Sequence, residues 1–423
     1  MRPWLYAAAV AVAAYGGHSM NSRLSPPLPG EHRTTLEGDS LKHAQALAPR
    51  LAAAAGQIDR QRRVPQAILD EMIAAGLFRM LVPRSLGGLE ADLIAFLRVI
   101  ETIAAAEAGT AWNLCQNAVC GTTAAYLPLQ AARTVFGDPG AILAWGPPTG
   151  APPQAQVVEG GYRVTGQWAF ASGGRHATWL GGICPLLDQA GKPLQGTRGQ
   201  ALWRTMLMPA AQVTFSDVWD VLGLRGTASD SFSANQLFVP IDLTVVRDAQ
   251  DERREPGRLY AFSTLSLFAL GFACVALGIA RSLLDAFMRL AQEKTPRAMS
   301  STLAGDAETQ SDVAQAEARL RAARHFLFET VERAWAAAMP GGTLNLEQRI
   351  DIRMAASHAI QSAKQVADLA YESAGSTGIF AANAFEKRFR DMHTVTQQLQ
   401  GRKAHFRSVG KYLLGIEPDT NFL

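Results

Sequence analysis

The spacing of apolar residues changes twice along this chain of 423 residues, and that change limits the folds it can adopt. From about Leu41 to Pro128, apolar residues recur every three or four positions, as in amphipathic helices. From about Ala141 to Val246, short alternating segments lie between glycine and proline clusters, which is typical of β-strands. Long helical patterns return from about Leu259 to Gly415. The sequence therefore predicts an α+β, mostly helical protein with a small β unit between two helical units.

We expect four segments with boundaries at these changes. Residues 1–40 are predicted to form a disordered N-terminal extension, 41–140 a helical domain, 141–248 the β domain and 249–423 a helical bundle. The apolar stretch Trp4–Tyr15 has the outline of a signal peptide, but it lacks an Ala-x-Ala cleavage site, so we interpret it as part of the extension. The apolar run Leu267–Ala280 is shorter than the roughly 20 residues that span a bilayer. We expect a buried helix there and no membrane segment.

Composition argues against several classes of function. The chain has 40 basic and 37 acidic residues without a long basic run, so nucleic-acid binding is not expected. Its four cysteines are too few for a disulfide framework and lack Cys-x-x-Cys spacing, so no metal site is predicted. Buried thiols in a reducing, cytoplasmic compartment fit this pattern best. The cysteines are Cys115, Cys120, Cys184 and Cys274.

One predicted strand could form the wall of a cofactor site. Gly160 and Gly161 suit a tight hairpin turn, and a two-residue alternation follows them. At its end, flat aromatic surface from Trp168 and Phe170 stands beside a small residue and a hydroxyl, Ala171 and Ser172, which would suit a planar ligand such as a flavin. The residues alone favour an ordinary hairpin that has an aromatic pair in its core over a cofactor site.

From about Leu41 to about Asp419 the chain resembles the acyl-CoA dehydrogenase superfamily. Four motifs agree in order and spacing, namely the loop Leu81–Leu89, the strand end Gly166–Ser172, the turn Gly223–Thr227 with its closing Val239-Pro240, and the segment Arg388–Asp391, which looks like the Arg-Asp that opens the last helix. The resemblance implies an N-terminal helical domain, a small middle β-barrel or sandwich and a C-terminal four-helix bundle. It also implies a homotetramer, because the family's bundle helices pack across subunits.

Within the superfamily, the sequence of the segment Gln167–Gly173, followed by His176 and Trp179, resembles the flavin-dependent monooxygenase branch more than the dehydrogenases. That branch includes the oxygenase component of 4-hydroxyphenylacetate 3-hydroxylase and dibenzothiophene monooxygenase. The resemblance implies that reduced flavin, FAD or FMN, reacts with O2 at its C4a atom and transfers one oxygen atom to a small aromatic or heteroatom-bearing substrate. A separate flavin reductase would supply the cofactor, since the chain has no Rossmann glycine motif after a strand.

Two sets of catalytic residues known in the superfamily are replaced here. The dehydrogenases' glutamate base would fall in Thr396–Gly401, a segment without any carboxylate. The monooxygenases' two histidines correspond to Cys120, eight residues after Trp112, and Gln398, eight after Arg390. Those histidines make a phenol more electron-rich. Their absence favours a substrate with its own lone pair or electron-rich ring, such as an amine, a thioether or an indole.

The resemblance also assigns roles to individual residues. It places Ser172 at flavin N5, and it implies that Trp112, Cys120 and Gln398 line the substrate side. Two histidines are candidates by their position in the sequence: His176 follows the Ser172 turn and either contacts the substrate or only caps a loop, and His393, three residues after Arg390 on a helix, is a further catalytic candidate. His393 could instead be a helix histidine paired with the backbone or with Glu386. The predicted cofactor contacts are Trp145, Gly146, Pro147, Ala171 and Ser172, together with Gly375 and Ser376 at a phosphate, and Arg297, which would reach the flavin of a neighbouring subunit.

Two other functions are consistent with these residues. The first is an acyl-CoA dehydrogenase-type oxidoreductase whose base is displaced to Glu372 or Glu255. The second is a non-catalytic relative that is kept for binding or assembly. The plain alternative for Gly375 and Ser376 is a break between two helices.

Overall fold

A computed structural model describes residues 35–197, 199–297 and 299–423. Residues 1–34, which include Trp4–Tyr15, lie outside the described residues, so the predicted disorder of that part of the extension stays a prediction. Helix α1 begins at Thr35, so the predicted boundary at residue 40 falls inside a helix. The helices before the first strand are α1 Thr35–Gln61, α2 Gln66–Ala74, α3 Leu93–Ala106, α4 Ala108–Gly121 and α5 Leu129–Phe136.

The β unit is one mixed sheet in which the strand order is β6-β7-β3-β2-β4-β5-β8, with β1 paired to β4. The hairpin predicted at Gly160 and Gly161 joins β2 to β3 in antiparallel pairing. Tyr162 and Val164 face the core while Arg163 is exposed, as the alternation predicted. The strands are β1 Leu143–Gly146, β2 Gln154–Val158, β3 Gly161–Ala171, β4 Trp179–Leu187, β5 Trp203–Pro209, β6 Thr214–Ser216, β7 Asp230–Pro240 and β8 Thr244–Val245.

Among the described residues, the C-terminal part of the chain consists of five α-helices separated by loops. These helices are α6 Thr264–Glu293, α7 Ala307–Ala337, α8 Leu346–Ala374, α9 Ala384–Gln397 and α10 His405–Leu413. The α+β, mostly helical prediction is confirmed. One expectation was wrong: Arg390-Asp391 does not open the last helix but lies in the middle of α9, because that helix already starts after Asn383 and α10 follows it.

Helix α6 forms the centre of the helical core. It is the one helix among the described residues that is long and apolar enough to cross a membrane, with a mean hydropathy of 2.0, but its apolar window is 100% buried by the chain's own packing. Two glycines allow neighbouring helices to approach it closely. A Cβ on Gly271 would lie 2.3 Å from Cys115 Sγ in α4, and a Cβ on Gly278 would lie 2.6 Å from Ala104 Cβ in α3.

A buried charge network joins the start of α4 to α9. The Lys387 ammonium donates to Glu107 at 2.8 Å and to Asp391 at 2.7 Å, and both carboxylates are at most 2% exposed. Burial alone would raise the pKa of Glu107, but the Lys387 charge and the Thr110 donors lower it overall. Asp391 also accepts the Leu224 backbone N–H at 2.6 Å. The network therefore attaches the turn before β7 to both helical parts of the chain.

Candidate functional site

Ser172 follows β3 at a point where the strand departs from regular pairing. The register with β7 shifts between Trp168 and Ala171, and Phe170 has a left-handed φ of 56°. A bulge of this kind changes the side of the sheet that the next residues face. Phe170 is consequently 58% exposed, while Ala171 and Ser172 are buried.

The two aromatic residues expected beside Ser172 have different environments. Trp168 is fully buried in the core of the β unit, where it stacks on Phe232 at 5.1 Å and donates to the Ile183 carbonyl. It therefore does not form part of a ligand wall, because the regular part of β3 directs it inward. Phe170 lies within the bulge and contacts Trp219 edge to face. It is the ring of this pair that remains open to a planar ligand.

The Ser172 hydroxyl belongs to a chain of hydrogen bonds with a defined direction, which we call the hydroxyl relay. The Thr227 hydroxyl donates to the Leu224 carbonyl at 2.8 Å, so Ser229, 2.7 Å away, must donate to Thr227. Ser172, 2.6 Å from Ser229, must in turn donate to Ser229. The Trp112 indole N–H donates to Ser172 at 3.2 Å. Because a hydroxyl oxygen accepts two hydrogen bonds, Ser172 keeps one acceptor position for a further donor.

The turn that supplies Thr227 and Ser229 is strained. Leu224 and Ala228 have left-handed φ values of 52° and 40°, which cost non-glycine residues about 1–2 kcal/mol each. Asp391 holds the Leu224 N–H, and the Thr227 carbonyl accepts the Gly173 N–H at 3.1 Å. These bonds fix the relay in place. Sequence reasoning noted this turn but did not identify Ser229, although a serine two residues after Thr227 was a signal that could have found it.

Helix α4 brings several predicted residues to the same place. Trp112, Gln116 and Cys120 are spaced by four and share one helix face. Gln116 donates to the Trp145 carbonyl at 3.3 Å and lies 3.7 Å from Cys120 Sγ. Trp112, Cys120, Trp145 and Ser172 are thus linked through side chains of one helix. The amide Gln116 was missed, although its spacing from Trp112 and Cys120 was visible in the sequence.

Asn117 connects α4 to the loop after Ser172. Its amide donates to the Leu143 carbonyl at 3.2 Å and to the Ser172 carbonyl at 3.3 Å, while its oxygen lies 3.3 Å from His176 Nε2. Burial lowers the pKa of His176 to about 4, and Arg63 adds to this shift. The imidazole is therefore neutral at physiological pH. The sequence placed His176 near the site without identifying Asn117, which holds it there.

The backbone of β1 lies directly against the end of β3. A Cβ on Gly146 would be 1.8 Å from the Ala169 carbonyl oxygen, so only glycine fits there. The Ala169 N–H donates to the Pro147 carbonyl at 3.0 Å. Trp145, Gly146 and Pro147 thereby adjoin Ala171 and Ser172. Their role as cofactor contacts stays a prediction.

Stacked aromatic rings extend from Trp112 along α6. Trp112 stacks on Phe272 with ring centroids 3.8 Å apart, and Phe272 stacks on Phe268 at 5.5 Å. Trp145 meets Phe268 edge to face at 6.3 Å. Cys120 lies near this wall and is fully buried, which raises the pKa of its thiol well above the usual value even though Arg247 partly offsets the effect. The thiol is therefore protonated and cannot serve as a base at neutral pH.

The remaining predicted site residues lie in the C-terminal bundle. His393 hydrogen-bonds to Asp368 at 2.9 Å and packs on Phe389, and the Gln398 side chain accepts the Gln400 N–H at 2.6 Å. Neither side chain hydrogen-bonds to the relay or to Cys120 in the described part of the chain. The structure therefore does not join them to Ser172 within one chain.

Three predicted cofactor contacts form a second, exposed group. Arg297 is exposed in the loop after α6, and Gly375 and Ser376 are exposed at the end of α8. Lys294 joins the two loops by donating to the Ala374 carbonyl at 2.7 Å. Gly375 has a left-handed φ of 55°. A break between two helices, the alternative to a phosphate site at Gly375 and Ser376, is therefore present.

No group of three or more His, Cys, Asp or Glu side chains suited to a metal ion occurs in residues 35–197, 199–297 and 299–423. The four cysteines are all buried free thiols.

Comparison with known proteins adds the following similarities. Residues 42–127 match the acyl-CoA dehydrogenase N-terminal domain, and residues 270–400 match the acyl-CoA dehydrogenase C-terminal domain. The chain is 31% identical over 371 residues to an indole-3-acetate monooxygenase of Pseudomonas putida, covering 87% of this chain and 92% of that protein.

Solved structures show the same fold. The crystal structure of a 3-HSA hydroxylase from Rhodococcus sp. RHA1 matches with a TM-score of 0.82 and 25% identity, over 91% of this chain and 99% of the other. XiaF from Streptomyces sp., solved in complex with FADH2 and glycerol, matches with a TM-score of 0.84 and 22% identity, over 92% and 98% of the two chains.

Proposed function

Because the chain belongs to the acyl-CoA dehydrogenase family, and within it to the flavin-dependent monooxygenases, we propose that it oxygenates a small, electron-rich aromatic substrate. It is an oxidoreductase that uses reduced flavin, and a separate flavin reductase is its partner. The bound reduced flavin supplies the two electrons with which one atom of O2 enters the substrate and the other leaves as water.

The residues around Ser172 fit a flavin. Ser172 has one free acceptor position, which suits the N5–H of a reduced flavin, whereas N5 of an oxidised flavin would need a donor. Phe170 exposes a flat ring two residues before Ser172, and Gly146 keeps the β1 backbone against β3. The direction of the hydrogen bonds in the relay is the observation that carries the proposal, because it leaves Ser172 an acceptor for the N5–H that only the reduced flavin has.

The positions of the carboxylates support oxygenation over dehydrogenation. Glu255 accepts a hydrogen bond from Ser85, and Glu372 is exposed near the end of α8. Asp230, next to the relay, is already occupied by Arg175 at 2.6 Å and by two backbone N–H groups. None of these groups is free beside Ser172 to remove a proton from an acyl-CoA.

The substrate is proposed to lie along the aromatic wall of Trp112, Phe272 and Phe268. Cys120 stands where related monooxygenases have a histidine that activates a phenol, and Gln116 lies beside it. Neither side chain can remove a phenol proton, so the substrate ring must be electron-rich without deprotonation. An indole ring meets this requirement, and a relative acts on indole-3-acetate. His176, held by Asn117, is proposed to contact the substrate as a neutral group.

The test is a single-turnover experiment with reduced FMN or FAD, O2 and indole-3-acetate, with mass spectrometry of the product. We expect incorporation of one oxygen atom from 18O2 and its loss in Ser172→Ala, with peroxide released instead. The proposal is wrong if only phenols are oxygenated, or if an acyl-CoA reduces the oxidised flavin without added reductant.

We further propose a cytoplasmic homotetramer in which Arg297, Gly375 and Ser376 complete the flavin site of a neighbouring subunit. Their exposure supports this arrangement, as does the Lys294 contact that joins their two loops. Ser172→Ala and Arg297→Ala should each be inactive alone, and unfolding and refolding them together should restore part of the activity. Light scattering that shows a monomer with full flavin affinity would contradict the proposal.

A further inference from the structure

Arg247 is a cation without a polar partner at the edge of the aromatic wall. Within the described residues its guanidinium makes no hydrogen bond or ion pair, and its carbon lies 4.6 Å from the centre of the Trp145 ring. Arg204 lines the same cavity but is paired with Glu252 at 2.5 Å and with Thr244 at 2.8 Å. The charge of Arg204 is therefore neutralised, whereas that of Arg247 is available to a ligand.

The cavity beside Arg247 lies between the β unit and α6. It has a volume of about 250 Å³. This is slightly below the usual range of small-molecule sites, roughly 300–1,000 Å³, and favours a compact ligand. Its lining includes Arg247, Phe268, Ile183, Thr205, Val245 and Leu265.

The cavity has a cationic side and an aromatic side that leads to the relay. Phe268 lines it and stacks on Phe272, which stacks on Trp112, whose N–H reaches Ser172. A ligand with an aromatic ring and an anionic end matches a site with a guanidinium on one side and aromatic rings on the other. The guanidinium binds a carboxylate through paired donors, and the ligand ring packs on the aromatic side chains.

One carboxylate also lines the cavity and must be accounted for. Both oxygens of Asp248 accept the Thr264 N–H at 3.1 Å, and one also accepts the Thr264 hydroxyl at 2.8 Å. Asp248 is thus directed to the start of α6; its charge attracts Arg247, but the two side chains do not pair within hydrogen-bonding distance. The guanidinium keeps its donors for another anion.

We propose that Arg247 binds the carboxylate of an aromatic acid and so orients its ring along the wall of Phe268, Phe272 and Trp112. This inference rests on the proposed oxygenase function and deepens it by naming an aromatic carboxylate as the substrate class. Arg247 is a specificity-determining residue that acts at the end of the substrate remote from the reacting carbon.

The test measures equilibrium binding to the enzyme loaded anaerobically with reduced FMN, so that it does not depend on turnover. Three acids, benzoate, phenylacetate and indole-3-acetate, are titrated by calorimetry beside their uncharged amides. We expect at least one acid to bind about 10- to 100-fold more tightly than its amide, as for a charge-assisted hydrogen bond. Arg247→Gln should remove this preference, and Arg247→Lys should keep part of it.

Arg163→Gln is the matched control, because Arg163 also lies over an aromatic ring, Phe238, but on the exposed side of β3. It should leave the preference unchanged. The proposal is overturned if no acid binds more tightly than its amide, or if Arg247→Gln retains the preference.

A phosphate is the competing anion, and FMN is compared with riboflavin to exclude it. If Arg247→Gln weakens FMN binding but not riboflavin binding, Arg247 holds the flavin phosphate and the proposal is overturned. A carboxylate preference that depends on Arg247 in an enzyme that does not oxygenate indole-3-acetate would count against the proposed function while leaving the anion site supported.

Discussion

Replacing Ser229 with alanine tests the direction of the hydroxyl relay. The substitution removes two hydrogen bonds, to Ser172 at 2.6 Å and to Thr227 at 2.7 Å, between side chains that are each at most 4% exposed. At about 0.5–1.5 kcal/mol for each bond, the free energy of unfolding of the flavin-free protein should fall by about 1–3 kcal/mol.

The same change should alter the choice between oxidised and reduced flavin. Without Ser229, the Ser172 proton no longer has its acceptor and becomes free to hydrogen-bond to N5 of the oxidised ring. One such bond is worth about 1 kcal/mol, so the ratio of the dissociation constants for oxidised and reduced FMN should fall about fivefold. Fluorescence titration measures the oxidised form, and anaerobic titration measures the reduced form.

Ser231→Ala provides the control, because Ser231 is also buried on β7 but takes no part in the relay. It should leave the ratio unchanged. If Ser229→Ala destabilises the protein as expected but does not lower the ratio, then the direction of the relay does not select the reduced cofactor and our reasoning is wrong.

Further outcomes follow from other contacts. Gly146→Ala should abolish flavin binding, because its Cβ would meet the Ala169 carbonyl at 1.8 Å, whereas Gly410→Ala, which meets nothing within 4 Å, should bind flavin normally in the same titration. Lys387→Met leaves Glu107 and Asp391 buried without their cation and should cost about 3–5 kcal/mol in denaturant unfolding, while Lys364→Met, at a partly exposed pair, should cost less than about 1 kcal/mol. A similar loss in both lysine variants would contradict this. Between pH 6.5 and 4 the unfolded chain protonates His176 before the folded protein does, so acidification weakens folding in this window. His176→Asn should lose less stability than the wild type from pH 7 to 4, and an identical slope would refute the assignment.

Much of the fold could be read from local patterns. The spacing of apolar residues predicted helices, then strands, then helices, and Gly160 with Gly161 marked the β2–β3 hairpin. These features depend on neighbouring residues only, because helical and strand periods are set by the backbone geometry of each segment. The alternation along β3 failed at the bulge after Trp168, where pairing with β7 places Phe170 outside and Ala171 inside.

The candidate site was predicted only in part. Ser172, Trp112, Cys120 and Trp145 share one neighbourhood, whereas His393 on α9 pairs with Asp368 on α8. Helical spacing from Arg390 could not identify this partner. A residue's partner depends on which helix packs against it, and that information is not contained in its own segment.

The order of helices and strands, the hairpin and the serine at the end of β3 were determined by residues near one another in the chain, through backbone periodicity and turn chemistry. The tertiary structure alone decided that Ser229 and Thr227 would orient the Ser172 proton, and that Arg204 would form an ion pair with Glu252 while Arg247 forms none within the described residues. The physical reason is that hydrogen bonds and ion pairs act over a few ångströms in space. Residues far apart in sequence acquire their chemistry only when packing brings their polar atoms within that distance.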